Sequence, residues 1–244
     1  MVINKNSEDF DNSMFVISID TDWASQSILD DCVSILNDYK IEATFFITNQ
    51  IDFFKLKNHE LSIHPNFQDF NTQEEVLKNS INMLPIKPKG SRSHKFFYNS
   101  PLMSIYEKHG IEYDSNFFIP TNKKIEPFFF KWVDVLEIPV FFCDDAHFMN
   151  SSKFDLSDID LQVNGVKVFL FHPFHIFMNT SKMITYEQHK SNYHNIDYLQ
   201  QNRNIEQPGT RTFFINLLEF IEKNKIPINT MKEVNDLWRK QKYY

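Results

Sequence analysis

Apolar and polar positions fall into blocks along the chain, and the blocks predict strands and helices in turn. An apolar run over 14–19 predicts a buried strand. Residues 27–39 place Ile28, Leu29, Cys32, Val33, Ile35 and Leu36 at helical spacing. A run of β-formers over 41–47 predicts a second strand, and 59–64 a short third one. Pro65 stops the third strand, because proline cannot donate to a ladder. Residues 72–83 predict a helix, with Thr72 and Glu75 spaced as a capping box. Ser91-Arg92-Ser93-His94 reads as a short strand or loop. A helix over 100–109 takes Pro101 at its first position and stops at Gly110.

Strands follow over 111–117 and, one or two of them, over the aromatic stretch 127–142. The run 166–171 predicts another buried strand, and 180–207 is a polar excursion over the surface. The pattern closes with an amphipathic helix over 210–224, a last strand over 226–228 and a helix over 231–240. Residues 1–13 read as a loose lead-in to a single domain over 1–244.

Strands alternating with helices imply βα units and a parallel sheet. Ionisable residues recur at the C-terminal ends of the strands: Asp20 and Asp22, His64, Arg92 and His94, Asp144 and Asp145, His172. In a βα barrel that end carries the active site. A buried strand ending in two carboxylates needs a reason, since an unpaired buried charge is costly. If the extended geometry continues, Asp20 and Asp22 point the same way. One reading makes them a metal ligand beside a proton acceptor. The other has one cap the helix beginning near Ser25 while its partner is solvated. Taken singly, His64 and His172 read as packed histidines, Arg92 as a surface ion pair and Asp144-Asp145 as a turn. Taken together, the strand ends offer a nitrogen and oxygen donor set suited to zinc or a similar divalent ion.

Composition narrows the field by exclusion. Four scattered glycines (Gly90, Gly110, Gly165, Gly209) leave no room for a phosphate-cradling loop or a dinucleotide fingerprint. A net charge of −7 without a long basic run argues against nucleic acid as a partner. Cys32 and Cys143 make neither a metal pair nor a disulfide framework, which fits a reducing cytoplasm. No apolar stretch approaches the ~20 residues that span a bilayer, and the start lacks a signal-peptide pattern. The expected compartment is therefore the cytoplasm.

Five blocks, in order, resemble the polysaccharide deacetylases (carbohydrate esterase family 4, the NodB homology domain). Ser18-Ile19-Asp20-Thr21-Asp22 is similar to the family's first motif, and Ala43-Thr44-Phe45-Phe46-Ile47 to the strand that follows it. His59-Glu60-Leu61-Ser62-Ile63-His64 is similar to the His-Glu-Ile-Gly-x-His segment, Arg92 to the third-motif arginine, and Leu170-Phe171-His172-Pro173 to the last motif. The resemblance implies a distorted (β/α)7 TIM-like barrel. One departure stands out: the family's second histidine, four residues past the first, is replaced here by Gln68, a poor zinc ligand. His94, beside the family arginine, is the expected substitute, which makes Asp22, His64 and His94 the ligand set.

The resemblance also implies roles. Asp20 is the general base, His172 the general acid, and Arg92 holds Asp20 ionised. Asp144 or Asp145 orients His172, with nothing in the sequence to choose between them. His175, Trp23 and Asn66 are expected to line the substrate pocket. The implied reaction is zinc-dependent removal of an N-acyl group from an amino sugar or glycan precursor. Two alternatives are another linear or cyclic amide as substrate, and a metal-free carbohydrate-binding protein, the latter favoured by Gln68.

Overall fold

A computed structural model describes residues 13–119, 124–150 and 153–242. The expected lead-in lies, apart from Ser13, outside the described residues. The strands are β1 (Ser13–Asp20), β2 (Thr44–Ile47), β3 (Glu60–Ile63), β4 (Gly90–Ser91), β5 (Tyr113–Asp114), β6 (Phe128–Phe129), β7 (Leu136–Glu137), β8 (Val140–Cys143) and β9 (Gly165–Phe171). They form one sheet in the order β6-β7-β5-β4-β3-β2-β1-β9-β8. The pairings are parallel except that of β6 with β7.

Chain connectivity forces this sheet to curl. β7 and β8 lie seven strand spacings apart in the sheet order, about 34 Å at ~4.8 Å per strand. Yet only Ile138 and Pro139 join them in sequence, a link that reaches about 10 Å at full extension. The sheet must therefore roll up until β8 meets the strands around β5. The seam is visible: Val140 N donates to Phe117 O (2.8 Å) and Ile119 N donates to Val140 O (2.9 Å). With β7 and β8 counted as one bent strand, seven parallel positions ring the interior, the distorted (β/α) barrel expected.

Side chains alternate across the sheet, and the two faces bury different clusters. Phe15, Ile17 and Ile19 of β1 pack outward with Phe45, Ile63 and Phe169, against Cys32 and Leu36 of α1 (Gln26–Asp38) and Leu217 of α8 (Thr210–Asn224). Val16, Phe46, Tyr113, Val168 and Leu170 pack on the other face, inside the barrel. Continuing the inward set in steps of two lands on Ser18 and then Asp20 after Val16, on His64 after Ser62, the register partner of Phe46, and on His172 after Leu170. Strand periodicity alone thus directs these polar residues into the barrel mouth. Close approach is needed where β4 meets β5, because a Cβ on Gly90 would lie 1.8 Å from the Tyr113 ring.

Several expected details differ. The helix α2 (Gln73–Met83) has no side-chain cap from Thr72, whose hydroxyl instead donates back to Asp69 O at 3.2 Å. Pro101 takes the second, not the first, position of α3 (Ser100–His109), where Asn99 caps and Gly110 (φ 77°) ends the helix. The stretch 127–142 makes three short strands rather than one or two. The last strand does not form: Ile228 makes one bridge with Phe15, after which α9 (Met231–Lys242) begins. Asp144-Asp145 is not a turn but the start of α4 (Asp144–Met149). After α5 (Pro173–Met178), the polar excursion carries two short helices, α6 (Met183–His189) and α7 (Ile196–Gln201).

Candidate active site

Arg92 anchors the site from inside the barrel. It is fully buried, with Nη1 donating to Asp20 Oδ1 (2.9 Å) and Ser18 Oγ (3.0 Å). Nε and Nη2 donate to Ser115 O (3.1 Å) and Ser115 Oγ (2.9 Å), and Cζ lies 4.2 Å from the centre of the Phe46 ring. The surface ion pair expected for Arg92 taken singly is therefore a buried one, held by four hydrogen bonds. Asp20 Oδ1 is committed to the guanidinium, and Oδ2 lies 3.7 Å from His64 Nδ1.

The extended geometry does not continue past Asp20. Asp22 and Trp23 both take left-handed backbone conformations (φ 42° and 58°), uncommon for non-glycine residues. Thr21 N donates to Phe46 O (3.0 Å), and Trp23 N to Thr48 Oγ1 (2.9 Å), which fixes the turn against β2. Neither aspartate caps α1, whose N-cap is Ser25. The turn instead swings Asp22 Oδ1 to 3.1 Å from His64 Nε2 and 3.4 Å from His94 Nδ1. Burial works to raise the Asp22 carboxyl, but the imidazoles of His64, His94 and His172 outweigh it and hold it well below the usual carboxylate range.

His94 is placed by its backbone: its N–H donates to Pro65 O (3.0 Å), and Ser93 N donates to Asn116 Oδ1 (2.8 Å). The His64 and His94 rings meet edge to face at 5.6 Å, and the Trp23 ring lies edge to face with His94 at 5.0 Å. Gln68 is exposed.

One oxygen and two imidazole nitrogens from Asp22, His64 and His94 gather within 4.8 Å of one another. Asp22 Oδ1 is buried and makes no well-directed hydrogen bond, although both imidazoles are close. Donor atoms that converge on a common point without bonding each other suit a divalent cation, and the O,N,N set suits zinc.

His172 faces this trio from β9. Its N–H donates to Asp144 Oδ2 (2.9 Å), and its Nδ1 is 2.7 Å from Asp144 Oδ1. Nε2 is thereby turned toward the site, 3.6 Å from Asp22 Oδ2. Of the two candidate partners Asp144 grips His172 twice. Asp145 reaches His175 instead, Oδ1 to Nε2 at 2.9 Å, and stays 3.7 Å from His172 Nδ1. Burial works to lower the His172 pKa, but the carboxylates of Asp145 and Asp144 raise it well above the ordinary imidazole value. Asp145, His172 and His175 form a second compact trio. There, however, His172 Nδ1 is occupied by Asp144 and His175 Nδ1 lies 3.1 Å from Thr180 Oγ1.

Two cavities open on these residues. One of about 260 Å³ is lined by Asp20, Asp22, His64, His94, Asp145 and His172. The other, about 480 Å³, shares Asp22, His94, Lys95, Asp145 and His172 with it and is also lined by Trp23, His175, Met183, Tyr186 and Tyr193. Asn66, half-buried, lines neither, so of the three expected pocket residues Trp23 and His175 reach a cavity and Asn66 does not. Lys95, Tyr186 and Tyr193 carry no motif that would have singled them out.

Residues 17–190 match the family described as WbmS-like: Polysaccharide deacetylase. Among solved structures, the chain is similar to a polysaccharide deacetylase of O-antigen biosynthesis, WbmS, from Bordetella bronchiseptica. The two are 25% identical over 90% of this chain and 95% of that one, with a TM-score of 0.77. A mutant of a Bacillus anthracis CE4 family pseudoenzyme shares the fold at 12% identity and a TM-score of 0.51, over 92% of this chain and 68% of that one. A 4-alpha-glucanotransferase from Thermococcus litoralis does so at 12% identity and 0.52, over 91% of this chain and 38% of that one. No curated protein sequence matches the chain. Among the described residues, no helix is long and apolar enough to cross a membrane.

Proposed function

The chain belongs to the WbmS-like polysaccharide deacetylase family, and from that premise we propose that it is a metal-dependent hydrolase that removes an N-acyl group, acetyl in the first instance, from an amino sugar of a surface-glycan precursor. The observation that carries this reading is the opposition of two buried pairs across one cavity. Arg92–Asp20 stands on one side and Asp144–His172 on the other, with Asp22, His64 and His94 between them.

Asp22, His64 and His94 would hold the divalent ion, zinc by donor type, which when bound activates water and polarises the acyl carbonyl. The remaining steps fall to side chains of the chain itself. Asp20 accepts the proton of the attacking water at Oδ2, since Oδ1 is held by Arg92. Arg92 holds that carboxylate by its other oxygen and stops it rotating. The water oxygen bonds to the acyl carbon and the C–N bond breaks. His172, protonated and aimed by Asp144, passes the Nε2 proton to the departing amine nitrogen. The products are a carboxylic acid and a free amino sugar. Trp23 and Tyr186 offer aromatic faces in the larger cavity for the sugar ring, and His175, close to Asp145, lines its wall.

The involvement of the Bordetella neighbour in O-antigen biosynthesis supports a surface-polysaccharide precursor as substrate. A precursor is made before export, in keeping with the cytoplasmic reading of the cysteines. A non-catalytic binding protein has no need of a general-acid histidine gripped twice by a buried carboxylate.

The test is acid release. Protein loaded with zinc, cobalt, nickel or manganese should liberate acetate or formate from members of a panel of free, nucleotide-linked and lipid-linked N-acyl amino sugars. Asp20→Asn should abolish the release. No release from any panel member with any of the four metals would overturn the reading.

A further inference from the structure

The excursion after α5 is a strap with both ends pinned. Asn179, in the left-handed conformation at the end of α5 (φ 51°), donates from Nδ2 to Asn204 O (3.0 Å) and Gln207 O (3.2 Å). Asn204 Nδ2 donates back to Asn179 O at 2.9 Å. Thr210 closes the base, its N–H and hydroxyl both donating to Thr180 O (2.9 and 3.0 Å). Between these pins the chain passes through α6 and α7 and returns over the site.

At its tip the strap joins two strand ends. Tyr193 Oη donates to Asp22 O at 3.0 Å, across 171 residues of sequence. The Tyr193 ring stacks on Phe174, with centroids 4.4 Å apart and planes 6° from parallel. Phe174 lies two residues past His172. Tyr186 packs edge-on against both Phe174 and His175. The strap therefore spans from the β1 end, where Asp22 sits, to the β9 end, where His172 sits.

Asp22 needs such a hold. A non-glycine residue stays in the left-handed region only where its surroundings determine it. The next peptide is fixed from one side by Trp23 N donating to Thr48 Oγ1. The Asp22 carbonyl is fixed from the other side by the Tyr193 hydroxyl. A turn clamped at both of these groups sets where the Asp22 carboxylate points.

We propose that Tyr193 is a positioning residue for the metal site: its hydroxyl fixes the Asp22 turn, and its stacked ring ties that turn to the strand end that bears His172. The strap is then part of the frame of the site, not a cover over a site already complete. This rests on the reading of Asp22 as a metal ligand, and the test separates the two.

Tyr193→Phe keeps the ring and its stacking and removes only the hydroxyl. Two quantities are measured on the full chain. The first is Co²⁺ and Zn²⁺ affinity by competition with a chromophoric chelator. Outer partners that orient a ligand are worth about 10–100-fold in metal affinity, so the variant should bind at least tenfold more weakly. The second is amide hydrogen exchange of the metal-free protein in the peptide covering 20–26, which should quicken several-fold. Phe174→Leu, which keeps the hydroxyl but removes its platform, should shift both in the same direction. Wild-type exchange, or wild-type affinity, in Tyr193→Phe overturns the proposal. If the wild-type protein and Asp22→Ala bind Co²⁺ equally weakly, the assignment of Asp22 as a ligand fails instead. Exchange then still decides whether Tyr193 holds the turn.

Discussion

Arg92 and Asp20 form an ion pair inside the barrel, Nη1 to Oδ1 at 2.9 Å, with the guanidinium completely removed from solvent. Every bond the guanidinium makes is to a strand or the residue just past one: Ser18 and Asp20 on β1, Ser115 beyond β5. The pair therefore links non-adjacent strands through the core as well as fixing where the Asp20 carboxylate points.

Removing one partner of a buried pair strands the other. Arg92→Ala should destabilise the protein by about 3–5 kcal/mol, a fall of roughly 10 °C in Tm for a chain of this size. Arg92→Lys should fold better than Arg92→Ala yet stay below wild type in activity, because an ammonium cannot reproduce the fork that grips both Asp20 and Ser115. Thermal melts and acid-release rates on the two variants check both statements. Equal stability of Arg92→Ala and wild type would show that the pair contributes nothing net.

His94 and Gln68 make a paired prediction. His94→Ala should lose at least tenfold in zinc affinity, measured by chelator competition. Gln68→His should gain nothing, because position 68 is exposed, whereas the donor cluster is built on buried and half-buried residues. Restored binding in the double variant His94→Ala, Gln68→His would mean that the site can be assembled in the family's usual register after all.

Asp144→Asn should keep the fold and lower turnover by about 10²–10⁴, the typical contribution of a positioned proton donor. The amide can still accept from the His172 backbone, but it no longer favours the protonated ring. Asp145→Asn should cost much less, because Asp145 Oδ1 lies 3.7 Å from His172 Nδ1, where Asp144 Oδ1 lies at 2.7 Å. Comparable losses in both variants would show that the two aspartates share the task.

A buried carboxyl pair beside the site gives a pH dependence of stability. Asp114 and Glu137 face each other in register on β5 and β7, both fully buried. Burial raises Glu137 to about 7, and burial with the neighbouring Glu137 raises Asp114 well above its ordinary value. Groups whose folded pKa lies above the unfolded value bind protons more tightly when folded. The contribution of Glu137 is whole below the unfolded carboxylate range, near ~4, and is lost as pH rises through about 7. Urea midpoints should therefore fall between pH 5 and pH 7, and Glu137→Gln should flatten that slope. A slope unchanged in the variant would remove Glu137 as its source.

The strand ends were legible because alternation and punctuation agreed. Val16, Ser18 and Asp20 share a face by the period of two, and Pro65 and Gly90 mark where neighbouring strands stop or start. What lay beyond local pattern was not legible. The Asp22 turn runs against the backbone preference of aspartate and is held by Thr48 and Tyr193, 26 and 171 residues away. The choice of Asp144 over Asp145 depends on where α4 begins, which places the first carboxylate beneath the His172 backbone. Thr72 and Glu75 had the spacing of a capping box, yet the Thr72 hydroxyl finds Asp69 O closer to hand. Tyr193 sat in a polar stretch with no motif, and only the folded strap brings it to Asp22.

The central claim is that Asp22, His64 and His94 hold a catalytic divalent ion. Anomalous diffraction at the zinc edge, on crystals of protein purified without an affinity tag and soaked in zinc, tests it most directly. A peak bounded by Asp22 Oδ1, His64 Nε2 and His94 Nδ1 is expected. The absence of a peak after soaking, or a peak on Asp145, His172 and His175 alone, would contradict it.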